Sequence, residues 1–503
     1  IGYATARRRD VTGAVASVKA TNLEKESPRS VQDLLRGNAA GIIVGMTNDA
    51  KSTASFLVRG SGTLKASNSP LNVVDGVIFD GAFTDINPND IESIDILKDA
   101  SATAVFGARA ANGVILITTK KGARGKPRIT FNSNIGFVKE VGTPRVMNAE
   151  EFLKWRYDYE MGKNNDAYHQ QYPEKFVDPR KLQNVDPLTW YNYDMQTPVT
   201  SVTEEELIRM WLSRLELKAP EIENYLNNKI TNWQKLVFQK GFQQDYSVSV
   251  SNRNDQSNYY FSLNYVDRKG VIVGDRYKNF RTRLNLESKI TSFLKVGANT
   301  NFAVRDEGFL QADWGQMTNI SPFGSNNLDD PNSPFRRLPT GDPTPVNPFH
   351  DNLYRDRKDM YNTLNSSIYG IINLPLGIEF QSTYTPSFVW REFYNHESSK
   401  NPQWTATGGS SERTFEKTFN WQIDNIIRWK RRFNEHNVEV TLLQNAEKGQ
   451  RWRTTAKSSQ YSPSDILGYH RLQAGAVPLA ESDDTYRTGD ALMGRVFYSF
   501  KDR

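Results

Sequence analysis

Acidic and amide side chains are concentrated in one short part of the sequence. Their oxygen atoms are the ligands that a hard cation such as Ca²⁺ prefers in proteins. The set comprises Asp75, Asp80, Asp85, Asn87, Asn89, Asp90 and Glu92. Its spacing does not match the calcium-binding loop of an EF-hand. Solvated turns and a helix cap are the alternative that we favour, so we predict no metal site.

The five histidines of the chain are isolated from one another. They are His169, His350, His396, His436 and His470. None has the paired spacing of a zinc site, and no Ser or Cys partner for nucleophilic catalysis can be identified. We therefore predict that the protein is not an enzyme, with no catalytic residue and no cofactor.

Aromatic residues in segments that we predict to be loops are candidates for ligand contact. Flat apolar faces beside polar groups suit sugar rings or peptide side chains. The candidates are Trp314, Tyr394, Trp404 and Trp452. For Trp390 and Trp429 we favour another role, in the belt of aromatic residues at a membrane–water interface.

Composition excludes several classes of protein. The 63 basic and 57 acidic residues give a net charge of +6 and are spread along the whole chain, so we predict no nucleic-acid binding. The chain has no cysteine, which excludes disulfides and thiolate metal sites. No run of 18 or more apolar residues occurs, so no transmembrane helix is predicted. No signal peptide is visible before Gly2, and for an exported protein we expect the true start to be missing.

The chain divides into two parts at a basic glycine–proline segment, residues 120–127. The first part, residues 1–125, has the pattern of a small α/β unit. A helix is predicted to start at Ser30, and strands are predicted at 55–59, 72–75, 93–97 and 114–118. A second helix is predicted at 101–107, where small residues end in a glycine.

The second part, residues 126–503, alternates between apolar and polar residues. Tyr259, Phe261, Leu263 and Tyr265 alternate with Tyr260, Ser262 and Asn264, which sends the two sets to opposite faces of a strand. Nearby, Arg281, Arg283, Asn285 and Glu287 share one face, which a packed soluble core could not bury. We count about ten such strands.

The connections between these strands are alternately short and long. Long loops are predicted at 138–244, 306–361, 386–413 and 445–489. Short turns on one side and long loops on the other are typical of an outer-membrane β-barrel. The first long loop includes a capping box, Thr203 to Glu206, before an apolar helix, so we expect a subdomain there.

Several segments of the first part resemble, in order, the plug signatures of SusC-type TonB-dependent transporters. They are Val58 to Gly60, Pro70 to Val77, Ile86 to Ile94, Leu97 to Gly107 and Arg109 to Gly122. Residues 231–234 and 494–503 resemble barrel segments of the same family. The segment that carries the TonB-binding box and the later barrel strands have no counterpart in this sequence.

The resemblance implies an antiparallel membrane β-barrel of about 22 strands when complete, with an α/β plug domain in its lumen. A plug of about 125 residues has a radius of gyration of ~14 Å. Ten tilted strands would close at a radius of only ~10 Å, whereas ~22 strands give about 22 Å. We therefore expect a C-terminal barrel segment to complete the wall.

The resemblance also implies a function and partners. It implies TonB-dependent import of oligosaccharides or oligopeptides across the outer membrane of a Gram-negative, Bacteroidota-like bacterium. A SusD-like lipoprotein would form a lid, TonB would bind through the missing segment, and two such pairs would form a dimer in the lipid bilayer. The alternatives are import of another nutrient, such as a siderophore, and a surface adhesin or scaffold that transports nothing.

The plug motifs supply candidate gating residues. They are Arg59, Gly60, Asp75, Gly76, Asp99 and Arg109. A charged plug residue can pair with the inner wall and be released when the plug is pulled. The alternative for Arg59 and the Asp75–Gly76 turn is a fixed ion pair and a tight turn.

Overall fold

The computed structural model describes residues 15–19, 28–45, 49–51, 56–58, 60, 69–79, 81–98, 110–330, 332–401 and 404–501. Three β-sheets are present in this part of the chain, of which two belong to the first 125 residues and one to the rest. The predicted helix at 101–107 lies outside the described residues.

The N-terminal unit is built around a five-stranded sheet in the order β1-β6-β7-β4-β5. Only β4 and β7 are parallel within it. Its strands, and the separate pair β2 and β3, are β1 (Val15–Lys19), β2 (Ile42–Val44), β3 (Phe56–Val58), β4 (Leu71–Val74), β5 (Val77–Ile78), β6 (Ile91–Leu97) and β7 (Val114–Thr119).

In the described part of this unit, one α-helix packs on the core. Helix α1 (Val31–Leu35) begins as predicted, because the Ser30 side chain accepts a hydrogen bond from the Asp33 amide at 3.3 Å. Leu34 and Leu35 are buried with Ile94, Ile96 and other aliphatic residues. Two short 3₁₀ helices, Phe83–Asp85 and Pro88–Asp90, precede β6.

The remaining strands form one long antiparallel sheet, which we call the wall. They are β8 (Arg128–Val138), β9 (Gly241–Arg253), β10 (Ser257–Lys269), β11 (Arg276–Lys289), β12 (Leu294–Asp306), β13 (Arg355–Leu374), β14 (Ile378–Glu397), β15 (Ser410–Phe433), β16 (His436–Tyr461), β17 (Gly475–Ser482) and β18 (Thr485–Phe500). Each strand from β8 to β16 pairs with its neighbour in sequence. Strands β17 and β18 lie end to end along β16, so the described wall has ten positions, in agreement with the predicted strand count.

The wall buries its polar face and exposes its apolar face, which is the opposite of a sheet in a water-soluble protein. On β10 the polar side chains of Ser262 and Asn264 are 1% and 2% exposed, and Tyr260 is buried with them. The apolar rings of Phe261 and Tyr265, on the other face, are 36% and 42% exposed. The predicted alternation is therefore confirmed, and these apolar residues are not enclosed in a water-soluble sandwich.

Helices cluster between wall strands. Between β8 and β9 lie α2 (Ala149–Lys163), α3 (Asp166–Gln171), α4 (Pro187–Tyr191), α5 (Glu204–Arg214), α6 (Ala219–Leu226) and α7 (Trp233–Val237). Between β12 and β13 lie α8 (Trp314–Met317) and α9 (His350–Tyr354). Helix α5 has the predicted capping box between Thr203 and Glu206. Phe323 of the second connection packs with Trp190, Trp211 and Leu212 of the first. We call residues 139–240 and 307–354 together the helical unit.

Two predicted loops are wrong in their bounds. Strand β14 continues to Glu397 and β15 begins at Ser410, so residues 398–409 connect them rather than 386–413. Strand β16 continues to Tyr461 and β17 begins at Gly475, so the predicted loop 445–489 is mostly strand. The end of β14 has apolar residues on both faces, such as Trp390 and Phe393, whereas the end of β16 has mostly polar residues on both. Neither stretch alternates clearly, so the period of two does not reveal it. No helix among the described residues is long and apolar enough to cross a membrane.

Candidate functional site

Several buried charged side chains lie at the interface between the N-terminal unit and the polar face of the wall. The tight turn between β4 and β5 has Asp75 at φ 50° and Gly76 at φ 89°, which is the geometry of a type I′ turn and explains the Asp–Gly sequence. Thr119 donates to the Asp75 carboxylate through its amide at 2.9 Å and its hydroxyl at 2.7 Å. Arg283 of β11 donates to the same carboxylate from the wall.

A second ion pair joins the N-terminal unit to the wall at Asp85. Asp85 is 1% exposed and accepts a hydrogen bond from Arg305 of β12. Arg281 donates to the carbonyl of Ile86 at 2.8 Å, and Asn279 donates to the carbonyl of Thr84 at 2.8 Å. The 3₁₀ helix at 83–85 is thus held by side chains of two wall strands.

The third carboxylate, Asp90, is held by hydroxyl groups instead of a cation. Tyr260 and Ser262 of β10 each donate to it at 2.8 Å. Burial raises the pKa of Asp90, and the charges of Arg283 and Arg281 oppose that effect only in part. The neighbouring Asn87 donates to the hydroxyl of Ser247 on β9 at 3.2 Å.

Hydrogen bonding continues to the end of the unit. Asn285 donates to the Thr119 hydroxyl at 3.0 Å and the Lys120 carbonyl at 3.1 Å, and Asn258 accepts from the Gly122 amide at 2.8 Å. The apolar cores of the unit are internal to it. Polar bonds therefore dominate the interface, and such bonds can be exchanged for bonds to water if the two parts separate.

Three of the six predicted gating residues lie in the described part of the chain. Asp75 and Gly76 form the turn that meets Arg283, and Gly60 has φ 90°. Arg59, Asp99 and Arg109 lie outside the described residues, as does Asp80 of the acidic set. The acidic residues do not converge, because each buried carboxylate points to a different wall side chain. Among the described residues, no group of three carboxylate or imidazole side chains could hold a metal ion.

Three residues of the polar face that was predicted on β11, Arg281, Arg283 and Asn285, contact the N-terminal unit. Asn301 also donates to the carbonyl of Asp85 at 3.2 Å. The prediction missed Asn279 and Arg305, although both continue the same period-two pattern on β11 and β12. Glu287 bonds instead to Tyr369 on the wall itself.

The four candidate ligand-binding aromatics are in different environments. Trp314 is 47% exposed at the start of α8, and Trp404 precedes a 3₁₀ turn in the connection 398–409. The placement of Tyr394 and Trp452 in loops is wrong, because they lie on β14 and β16. Both point away from the N-terminal unit, and Arg413 covers the ring of Tyr394 with its guanidinium carbon 4.3 Å from the ring centroid.

Comparison with known proteins identifies the two parts. Residues 7–114 match the family model of the TonB-dependent Receptor Plug Domain. The chain is 26% identical over its whole length to TonB-dependent receptor P3 of Formosa agariphila, covering 45% of that protein. It is 30% identical over 60% of its length to TonB-dependent receptor SusC of Bacteroides thetaiotaomicron, covering 25% of that protein. The chain spans less than half the length of these curated relatives.

A solved structure has the same architecture. The RagAB peptide importer in its open-open state superposes with a TM-score of 0.73, at 23% identity, over 99% of this chain and 54% of that chain. The fold and the matched domain define a TonB-dependent receptor, with an N-terminal plug followed by barrel strands. Within that class, the matched plug domain and the relative SusC support a SusC-type TonB-dependent transporter. The N-terminal unit is called the plug from here on.

Proposed function

We propose that the protein imports a nutrient across the outer membrane of a Gram-negative, Bacteroidota-like bacterium, with the plug as a movable gate. The observation that carries this proposal is the buried polar interface between plug and wall, centred on the Asp75–Arg283 and Asp85–Arg305 pairs. A net contribution of about 1 kcal/mol per hydrogen bond allows a pulling force to separate such an interface stepwise. TonB would supply that force through a segment outside this sequence. Because TonB-dependent transporters are not enzymes, no reaction on the ligand is proposed.

Two tryptophans support the proposed position of the wall in a bilayer. Trp429 pairs with Ile378, and Trp390 lies 12 residues further along β14 (390 − 378 = 12). An even separation places both rings on the same face, opposite the plug. Twelve residues span ~40 Å along a strand, or ~30 Å across a bilayer at a tilt of ~40°. This matches the hydrocarbon thickness and supports the predicted aromatic belt.

The edges of the described wall support a larger barrel. On β8, Ile129, Phe131 and Phe137 are 74%, 67% and 81% exposed. On β18, Leu492 and Val496 are 85% and 70% exposed. We propose that further strands of a C-terminal segment join these edges to give about 22 in all, since closure removes unpaired strand edges.

Substrate and partner are proposed from the relatives. Similarity to SusC and to the RagAB peptide importer supports an oligosaccharide or an oligopeptide as ligand and a SusD-like lipoprotein as lid, with two such pairs forming a dimer. Trp314 and Trp404 stay as proposed contacts for the ligand. Mass analysis of ligand that co-purifies with the native complex would distinguish the two substrate classes from a siderophore.

A reversible cross-link tests gating, because these 503 residues contain no cysteine; any cysteine elsewhere in the full-length protein is first replaced by serine. Asn87→Cys with Ser247→Cys joins plug to wall at a side-chain contact of 3.2 Å. A short thiol-to-thiol reagent is used if a direct disulfide does not form. The control, Thr300→Cys with Ser366→Cys, joins two wall strands at a contact of 2.9 Å and does not involve the plug.

Uptake of labelled oligosaccharide or oligopeptide by intact cells is then measured in the full-length protein. We expect the plug cross-link to stop uptake, reduction to restore it, and the control to leave it unchanged. Undiminished uptake with a complete plug cross-link would reject the moving gate. Ligand binding at the cell surface with no uptake in any variant would favour an adhesin.

A further inference from the structure

A three-residue plug segment is held at the end of the wall where the long connections begin. Ala50 is 1% exposed and packs against Val266 and Tyr277. Its amide donates to Asp275 at 2.9 Å, and the neighbouring Lys51 donates to Glu307 at 2.7 Å. Apolar packing, a backbone hydrogen bond and an ion pair thus act on residues 49–51 together.

The ion pair is part of a longer row of alternating charges. Glu307 also accepts a hydrogen bond from Arg305, and Arg305 donates to Asp85. Lys51, Glu307, Arg305 and Asp85 therefore join two distant plug segments through the wall. Glu307 is the first residue after β12, where the second connection of the helical unit starts.

The turn that carries Asp275 is built into the helical unit. This turn, residues 270–275, connects β10 to β11. Val273 donates to the Val237 carbonyl at 2.9 Å, and Ala312 donates to the Val273 carbonyl at 2.8 Å. Ile272 belongs to the same apolar cluster as Trp233, Met317 and Phe349. One short turn therefore contacts the plug on one side and the helical unit on the other.

Gly270 makes this arrangement possible. A Cβ atom at this position would lie 1.9 Å from Oδ2 of Asp275. The same oxygen accepts the hydrogen bond from the Ala50 amide. A side chain here would therefore displace the carboxylate from the plug amide.

We propose that the turn 270–275 is a latch that couples the helical unit to the plug. Displacement of the helical unit releases residues 49–51, and by thermodynamic reciprocity their release loosens the packing of Ile272. The biological meaning of the latch rests on the proposed movement of the plug. The coupling itself is a property of the resting protein and is measured without transport.

Thiol labelling at position 50 reports the latch directly. In the full-length protein, Ala50→Cys should react with a water-soluble maleimide far more slowly than a reference thiol at the exposed position Ser201→Cys. Adding Ile272→Ala should speed the reaction at position 50 about tenfold, a typical coupling between sites. Ile426→Ala is the matched control, since Ile426 is also buried, at 2% exposed against 8% for Ile272, but lies on β15.

Local variants separate the latch contact from general loosening. Gly270→Ala and Asp275→Ala should each increase the rate of labelling at position 50. Asp275→Asn keeps an oxygen acceptor, so its labelling rate should stay close to that of the parent Ala50→Cys protein. Rapid labelling of the parent Ala50→Cys protein overturns the proposal. So does an equal effect of Ile272→Ala and Ile426→Ala, or no effect of Ile272→Ala. Because no result depends on uptake, loss of gating in the cross-linking experiment leaves this test intact.

Discussion

Arg283 of the wall and Asp75 of the plug turn form an ion pair whose side chains are 4% and 7% exposed. Asp75 is also held by Thr119 inside the plug, so the carboxylate is fixed before it meets the wall. Among the described residues, removal of the arginine leaves the buried Asp75 carboxylate with no cation in contact, and this costs more than the pair contributes.

Arg283→Ala should therefore weaken the docking of the plug by about 3–5 kcal/mol. The measurement is the urea concentration at which the purified full-length protein becomes conductive in a planar bilayer. Arg124→Ala is the control, because the Arg124–Asp255 pair is 75% and 88% exposed, and it should cost less than about 1 kcal/mol. Equal shifts in the two variants would contradict a specific role for the buried pair.

Holding of residues 49–51 should depend on pH through Asp275. Burial, with a smaller effect of the Asp49 charge, raises the pKa of Asp275 to about 6, and the Ala50 amide opposes this shift. Asp267, Lys269 and Arg276 line the same cleft. A raised carboxyl pKa means that the held state binds the proton more tightly than the released state does.

The stabilising effect of the proton is thus complete below the ordinary pKa of about 3.9 and is lost as pH rises through about 6. Labelling of Ala50→Cys, corrected for thiolate content with Ser201→Cys, should be slower at pH 5 than at pH 7. Asp275→Asn should remove the difference. A pH dependence that persists in that variant would assign it to another group.

Asp90 should tolerate loss of its charge better than loss of its acceptor atoms. Burial raises its pKa, and its partners on the wall are the hydroxyls of Tyr260 and Ser262, while Asn87 of the plug donates to it at 3.2 Å. Asp90→Ala leaves both hydroxyls without this acceptor and should destabilise docking by about 1–3 kcal/mol, whereas Asp90→Asn should stay within about 1 kcal/mol of the parent. The urea titration described for Arg283 measures both, and the reverse order would show that the ionised carboxylate is required.

The lipid-facing surface should show a depth-dependent cost for charge. Ile423 lies six residues from Trp429 and six from Lys417, the partner of Trp390, which places it midway across the proposed bilayer. Ile423→Arg should destabilise the folded barrel by about 2–4 kcal/mol, while Thr454→Arg, beyond the level of Trp390 on the same face, should cost about 0–1 kcal/mol. Folding titrations in lipid vesicles give both values, and similar costs would contradict the assigned membrane level.

Local features could be predicted from the sequence because their causes are local. The period of two is a property of extended backbone, so residues 259–265 indicated two unlike faces before any partner was known. Ser30 and Thr203 indicated helix starts because a capping side chain bonds an amide only three residues away. The same signal failed at the end of β14, where both faces carry apolar residues, and at the end of β16, where both faces are mostly polar.

Only the tertiary structure decided which groups meet across the interface. Asp75 and Arg283 are 208 residues apart, and Asp90 and Tyr260 are 170 apart. No local pattern encodes such pairs, because they form only when a folded plug docks against an assembled wall. The amino-acid sequence determined that this protein has one polar and one apolar wall face and a plug. The docked structure decided that Asp75 and Asp85 pair with arginines, whereas Asp90 accepts hydrogen bonds from two hydroxyl groups. Each buried carboxylate bonds the wall donor that lies opposite it.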